Sequence, residues 1–134
     1  MGDCFVLFSG IILGPVYGFL ASGLGSVLAD VLFGYFAYAP ATFIIKGLMS
    51  SLLGVVFCRL KKKICVLNLL LFGIISEILM VLGYFLYECF VLSYGIGAAA
   101  SIPGNIFQGA FGVAVNILLC LAIENKAEIK NLLK

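Results

Sequence analysis

The chain has 134 residues, of which 64% are hydrophobic and 10% charged, with a mean hydropathy of +1.27. A soluble domain runs at roughly 45–50% apolar and about 25% charged residues, and a chain this short has no core large enough to hide the excess, so the composition predicts an all-α integral membrane protein. Histidine and tryptophan are absent, which excludes imidazole bases, imidazole metal ligands and catalytic triads and leaves no reason to expect an enzyme or a cofactor.

In chain order, residues 4–29 carry no charge, but Gly14-Pro15 interrupts them because proline lacks a backbone donor and disfavours helix at the preceding residue. This predicts a short helix over 4–13, too short to cross a membrane alone, and a second over 15–34. At about 1.5 Å per residue, twenty residues give roughly 30 Å, the thickness of a hydrocarbon core. Residues 35–40 read as a turn, 41–59 as a span ending in a basic cluster, and 64–89 as a long span. The small-residue run SYGIGAAAS (93–101) reads as a loop or frayed helix end, and 103–125 is the last span. The expectation is a compact bundle of about five helical segments in one transmembrane domain. The Met-Gly-Asp start offers no basic region of a secretory signal.

The net charge of +2 says less than its placement. Seven of the eight basic residues fall in two groups, Arg59, Lys61, Lys62 and Lys63, then Lys126, Lys130 and Lys134, leaving only Lys46 outside. Two spans separate the groups, so both lie on one side, which the positive-inside bias makes the cytoplasm. The 35–40 turn and the segment around 88–104 then face outward, with Tyr35, Tyr38, Tyr84, Tyr87 and Tyr94 near the outer face, either as an interfacial belt or as a lining for a flat ligand. A nucleic-acid surface is not expected, since no soluble basic face is visible. The five cysteines, Cys4, Cys58, Cys65, Cys89 and Cys120, form no CxxC pair and read as packing residues.

An ionisable group in a membrane helix costs about 2.5–3.5 kcal/mol at the helix centre on insertion scales, so Asp30, Lys46, Glu77 and Glu88 each require a reason. Lys46 and Asp30 either pair with each other, snorkel, or belong to a site. Glu88 reads as a solvated helix end, whereas Glu77 is too deep for that. Glu77, Val81, Tyr84 and Glu88 share one helical stripe, and Asn105, Gln108, Gly112 and Asn116 form another. Carboxamides both donate and accept, which suits a neutral heteroaromatic ligand, although interhelical hydrogen bonding is the plainer use. Gly14, Gly18, Ser22 and Ser26 repeat every four residues beside Ala21, Gly25 and Ala29, giving small rows that serve helix packing within the chain or docking to another membrane subunit. No GxxxxGK[ST] phosphate loop is present.

The block GPVYGFLASGLGSVLADVLFGYFAYAPATFIIKGLMSSLLG (14–54) resembles the S components of energy-coupling factor (ECF) transporters, especially the riboflavin-type family. Its Gly-Pro-x-x-Gly, Gly-x-x-x-Ala-Asp and Pro-x-Thr-Phe-x-x-Lys-Gly elements carry the likeness. EILMVLGYFLYE (77–88) and PGNIFQ (103–108) extend it to nearly the whole chain. The resemblance implies a small bacterial multi-pass membrane subunit, C-terminus cytoplasmic, that captures a vitamin or precursor from outside. It implies partners too: a transmembrane coupling subunit and two ATPases that drive release inward. By position, Lys46, Glu77, Tyr84, Asn105 and Gln108 would line the pocket, with Asp30 lining or structural, and Gly18, Ser22, Gly25 and Ser26 would face a partner subunit. The family pattern has six helices, and the first is expected to be missing here. The rival expectation is an oligomeric membrane scaffold, whose intramembrane charges would pair across protomers.

Overall fold

A computed structural model describes residues 2–60 and 65–124, with the side chains of residues 59, 60 and 124 outside the description. The basic residues Lys61 to Lys63, Lys126, Lys130 and Lys134, on which the orientation rests, lie outside the described residues, as does the side chain of Arg59. The described chain is helical: α1 (Asp3–Leu32), α2 (Ala39–Leu60), α3 (Val66–Leu86) and α4 (Ile102–Glu124), with a π-helical turn at Tyr87–Val91 and a 3₁₀ segment at Gly95–Ser101. Four stretches are long and apolar enough to cross a membrane: Asp3–Leu32, Ala39–Cys58, Val66–Val91 and Gly95–Ile123. Large apolar side chains including Phe5, Leu24, Leu28, Ile78 and Phe107 are exposed around the bundle. Such a surface is untenable in water and normal against lipid, and the chain is a multi-pass membrane protein.

Within α1 the chain reverses direction. Gly14 has φ 78° and ψ −177°, a conformation open essentially to glycine alone, and Pro15 restarts the helix where its missing N–H costs nothing. Ser9 and Ser22 hydroxyls are 2.5 Å apart, and the Ser22 hydroxyl donates to the Val6 carbonyl at 3.4 Å. Thirteen residues of straight helix would separate Ser9 from Ser22 by about 20 Å. The 3–13 and 15–32 arms therefore lie antiparallel, the first about 16 Å long and the second about 27 Å, close to the thickness of a hydrocarbon core. The first arm runs only part of the way back into the bundle.

Small residues fix how closely α2 meets this hairpin. A side-chain carbon at Gly10 would strike the Ser50 carbonyl, one at Gly18 would come within 2.7 Å of the Ser50 hydroxyl, and one at Gly54 within 2.5 Å of the Pro15 nitrogen. Phe19 and Phe43 meet edge to face with centroids 5.5 Å apart. Leu7, Met49, Leu53, Leu69 and Met80 are fully buried between the arms, α2, α3 and α4. Because lipid supplies no hydrophobic drive between helices, this close packing has to hold the bundle together.

Of the two readings of the small-residue run, the frayed helix end fits: residues 95–101 are a 3₁₀ helix that runs straight into α4, Gly95 enters it at φ 55°, and the Ser101 hydroxyl closes on the Ala98 carbonyl at 2.9 Å. One expectation needs correction. Glu88 is not a solvated helix end, since it is buried in the π-helical turn that finishes α3. Within that turn Glu88 alone is buried, while Phe90 and Val91 face outward.

Gly54→Leu is expected to cost about 1–3 kcal/mol by overpacking, seen as a lower thermal unfolding midpoint in detergent. Gly25→Leu, which meets nothing within 4 Å, is expected to leave that midpoint within the change of roughly ±0.5 kcal/mol typical of surface substitutions.

Candidate functional site

The hairpin carries Asp3 into the bundle, where it forms an ion pair with Lys46 of α2; the two side chains are 1% and 6% exposed. The other Asp3 oxygen accepts a hydrogen bond at 2.7 Å from the Gln108 carboxamide of α4. Asp3 lies in the first turn of its arm, so the unpaired N–H groups and dipole of that helix end add to the stabilisation of its charge. Lys46 also donates to Met80 Sδ at 2.9 Å, and its ammonium lies 5.6 Å from the centre of the Tyr84 ring, within cation–π range. The first arm and α3 thus meet the ammonium of α2, and α4 joins them through Asp3.

Around this core, Glu77 of α3 is buried against α4. A side-chain carbon at Gly109 would lie 2.8 Å from one Glu77 oxygen, and one at Gly112 would lie 2.7 Å from Asp3 Cβ and 3.3 Å from the other Glu77 oxygen. Glycine at both places lets the two carboxylates reach the α4 backbone. The Tyr84 and Thr42 hydroxyls share a hydrogen bond at 3.0 Å.

Beyond Tyr84, the turn between α1 and α2 is clasped to the end of α3. The Tyr87 hydroxyl donates to the Ala37 carbonyl at 2.5 Å and the Tyr38 hydroxyl to Glu88 at 3.3 Å. The Tyr38 ring lies 6.4 Å from Tyr35, 6.4 Å from Tyr84 and 6.2 Å from Tyr87. Partial burial, and then the Glu88 charge, hold the Tyr38 phenol above its ordinary pKa, so it keeps its proton and remains the donor.

Of the residues singled out in the sequence, Lys46, Glu77, Tyr84 and Gln108 come together. Asn105 lies half-buried one turn before Gln108, while the hydrogen bonds among the described residues run through Gln108. Asp30 does not pair with Lys46, whose ammonium Asp3 takes; one Asp30 oxygen is buried without a hydrogen-bond partner, within electrostatic reach of Tyr84. Gly18 and Ser22 are turned into the α1 hairpin and buried, whereas Gly25 is exposed and Ser26 half-buried on its outer face. Asp3 is the residue that sequence reasoning missed, having counted it as lying before the apolar run. The signal was available: Lys46 is the single basic residue outside the two clusters, and a buried ammonium needs a carboxylate.

The sequence model of the ECF-type riboflavin transporter S component family matches residues 1–125. The chain belongs to that family. It is accordingly grouped with substrate-binding membrane subunits of vitamin transporters and not with an enzyme class. Among curated relatives, an "Uncharacterized protein in gap 3'region" of Pyrococcus woesei is 34% identical over 115 residues, covering 85% of this chain and 74% of the relative. No solved structure matches the chain.

Breaking the ion pair leaves an uncompensated buried charge. Asp3→Ala is expected to destabilise this S component by about 3–5 kcal/mol, and Asp3→Ala combined with Lys46→Met to recover much of that loss, both measured by denaturation in detergent.

Proposed function

We propose that this chain is the substrate-capturing subunit of an ECF-type transporter, taking a riboflavin-like or related heteroaromatic vitamin, or its precursor, from outside for ATP-driven uptake. The convergence of Asp3, Lys46, Glu77, Tyr84 and Gln108 beneath a cluster of tyrosines carries the reading, in a chain of the riboflavin-transporter S component family. Few convergent polar groups within an apolar and aromatic wall are what binding of a small flat molecule requires. A heteroaromatic ring offers alternating donors and acceptors; Gln108 and Glu77 answer them, and Tyr84 supplies the stacking face.

Lys46, Asp3 and Gln108 satisfy one another in this state, so capture exchanges some of these contacts for contacts to the ligand. Opening of the Tyr38–Glu88 and Tyr87–Ala37 clasp gives access from the outer side. Pairing of Lys46 with Asp3 within one chain supports this reading over a scaffold whose charges pair across protomers. In the same reading the two basic groups hold the C-terminus in the cytoplasm, and a coupling subunit with two ATPases completes the transporter, docking against the outer face of α1 at Gly25 and Ser26.

Titrating riboflavin into the purified chain in nanodiscs, followed by flavin fluorescence, tests the proposal. Glu77→Ala, Gln108→Ala and Tyr84→Ala are each expected to weaken binding about tenfold or more, the loss of one well-placed buried contact, and Asn105→Ala to weaken it less. All four variants should still insert. Unchanged affinity in both Glu77→Ala and Gln108→Ala would remove this site from consideration, and mass spectrometry of whatever co-purifies would identify a ligand other than a flavin.

A further inference from the structure

Between α3 and α4 runs a second feature, separate from the hydrogen-bonded cluster. It is a groove of about 570 Å³, within the roughly 300–1,000 Å³ typical of small-molecule sites. Its walls are aliphatic, with Ile74, Ile78 and Val81 from α3 facing Ile106, Val113 and Ile117 from α4. Its width comes from Gly109, Ala110 and Ala114, where α4 presents almost no side chain. The residues at its lip, Ile74, Ile78 and Ile106, are 45%, 54% and 55% exposed, on a surface that faces lipid, so the groove opens sideways into the bilayer.

Glu77 is the one ionisable residue lining it. It is 7% exposed, and neither carboxylate oxygen has a hydrogen-bond partner. The nearby Lys46 ammonium donates to Asp3 and Met80 and makes no hydrogen bond to Glu77. Leaving such a group unpaired costs about 1–3 kcal/mol, more when it is charged, and a donor arriving along the groove removes that cost. Glu77 lies near the middle of the Val66–Val91 span, about 15 Å from either edge of the hydrocarbon core. A phospholipid head group cannot reach it while its chains stay in the leaflet.

We propose that the α3–α4 groove is a binding site for a bilayer-borne amphiphile, its apolar body along the aliphatic walls and a hydrogen-bond-donating head on Glu77. The ligand class is compact and fully immersed: a long-chain or polycyclic amine, alcohol or amide, not a phospholipid and not a fatty carboxylate, which brings no donor to Glu77. Entry is lateral, independent of the tyrosine clasp.

The test uses radiolabelled dodecylamine and dodecanoic acid, equilibrated with the full chain in phosphatidylcholine nanodiscs and compared with empty nanodiscs. Dodecylamine is expected to bind saturably near one per chain, about tenfold more weakly to Glu77→Gln through loss of a charge-assisted hydrogen bond, and not at all to Ala110→Phe, which fills the groove. Dodecanoic acid is expected only to partition as it does into empty nanodiscs. Non-saturable uptake of dodecylamine, equal binding by Ala110→Phe or by Glu77→Gln, or equally tight binding of dodecanoic acid would each overturn the proposal. Riboflavin titration of Ala110→Phe separates the two readings, since this substitution touches the groove alone: retained flavin binding with lost amine binding supports two distinct sites, and loss of both overturns the groove as a separate one.

Discussion

A charge in the middle of an apolar bundle is tolerable only if its partner is delivered to it, and the ion pair between Asp3 and Lys46 is the constraint on which the rest of the bundle depends. Lys46 is positioned by a straight helix; Asp3 is positioned by a reversal of chain direction. Without the turn at Gly14, a helix of this length would carry Asp3 past the far end of α2. With it, the 3–13 arm folds back along 15–32 and places its first turn at the depth of Lys46. Close approach of the arms to α2 at Gly10, Gly18 and Gly54 then sets the register. A bulkier residue at any of these glycines would spread the hairpin from α2 and draw the carboxylate from the ammonium. Packing and electrostatics are therefore one problem in this molecule.

The same arrangement divides the bundle by depth. Toward the reversal at Gly14, tight apolar contacts at Leu7, Met49 and Leu53 surround a small hydroxyl cluster of Ser9, Ser22 and Ser50. Toward the outer turn they become polar and aromatic, with Thr42, Tyr84, Tyr38 and Glu88 linked one above another. Hydrogen bonds between side chains in membranes contribute modestly, about 0.6 kcal/mol on average, so the tyrosine clasp closes the outer end without locking it. A tightly packed half and a more weakly closed half suit the proposed capture of a molecule from one side.

Much of this was legible in the sequence because membrane helices obey few rules strictly. Length and hydropathy placed the protein in a bilayer, and Gly14-Pro15 marked a break because no other residue pair combines a positive φ with a missing donor so readily. Lys46, Glu77, Tyr84 and Gln108 stood out as polar groups that an apolar span has to justify. What could not be read was direction: a helical pattern records which residues share a face, not whether the chain bends or doubles back at a break. For that reason Asp3 was not counted among the intramembrane charges, and Asp30 stood as one candidate partner for Lys46. Glu88 was misjudged in depth and not in face: its stripe already grouped it with Glu77 and Tyr84, but the Tyr38 hydroxyl that meets it comes from a turn fifty residues away in the chain.

Glu77 occupies the boundary between two environments, which explains why it stays without a partner while its neighbours are satisfied. On one side stand Asp3, Lys46 and Gln108, whose charges and donors are already committed to one another; on the other runs an aliphatic groove that opens to lipid. A second carboxylate beside an ion pair gains little from an ammonium that is already neutralised, and the like charge of Asp3 opposes it. Gly109 and Gly112 nonetheless leave room for it against the α4 backbone. Under the proposed readings that unanswered acceptor is where a donor from outside the chain would bind, relieving Glu77 while the Asp3–Lys46 pair stays intact.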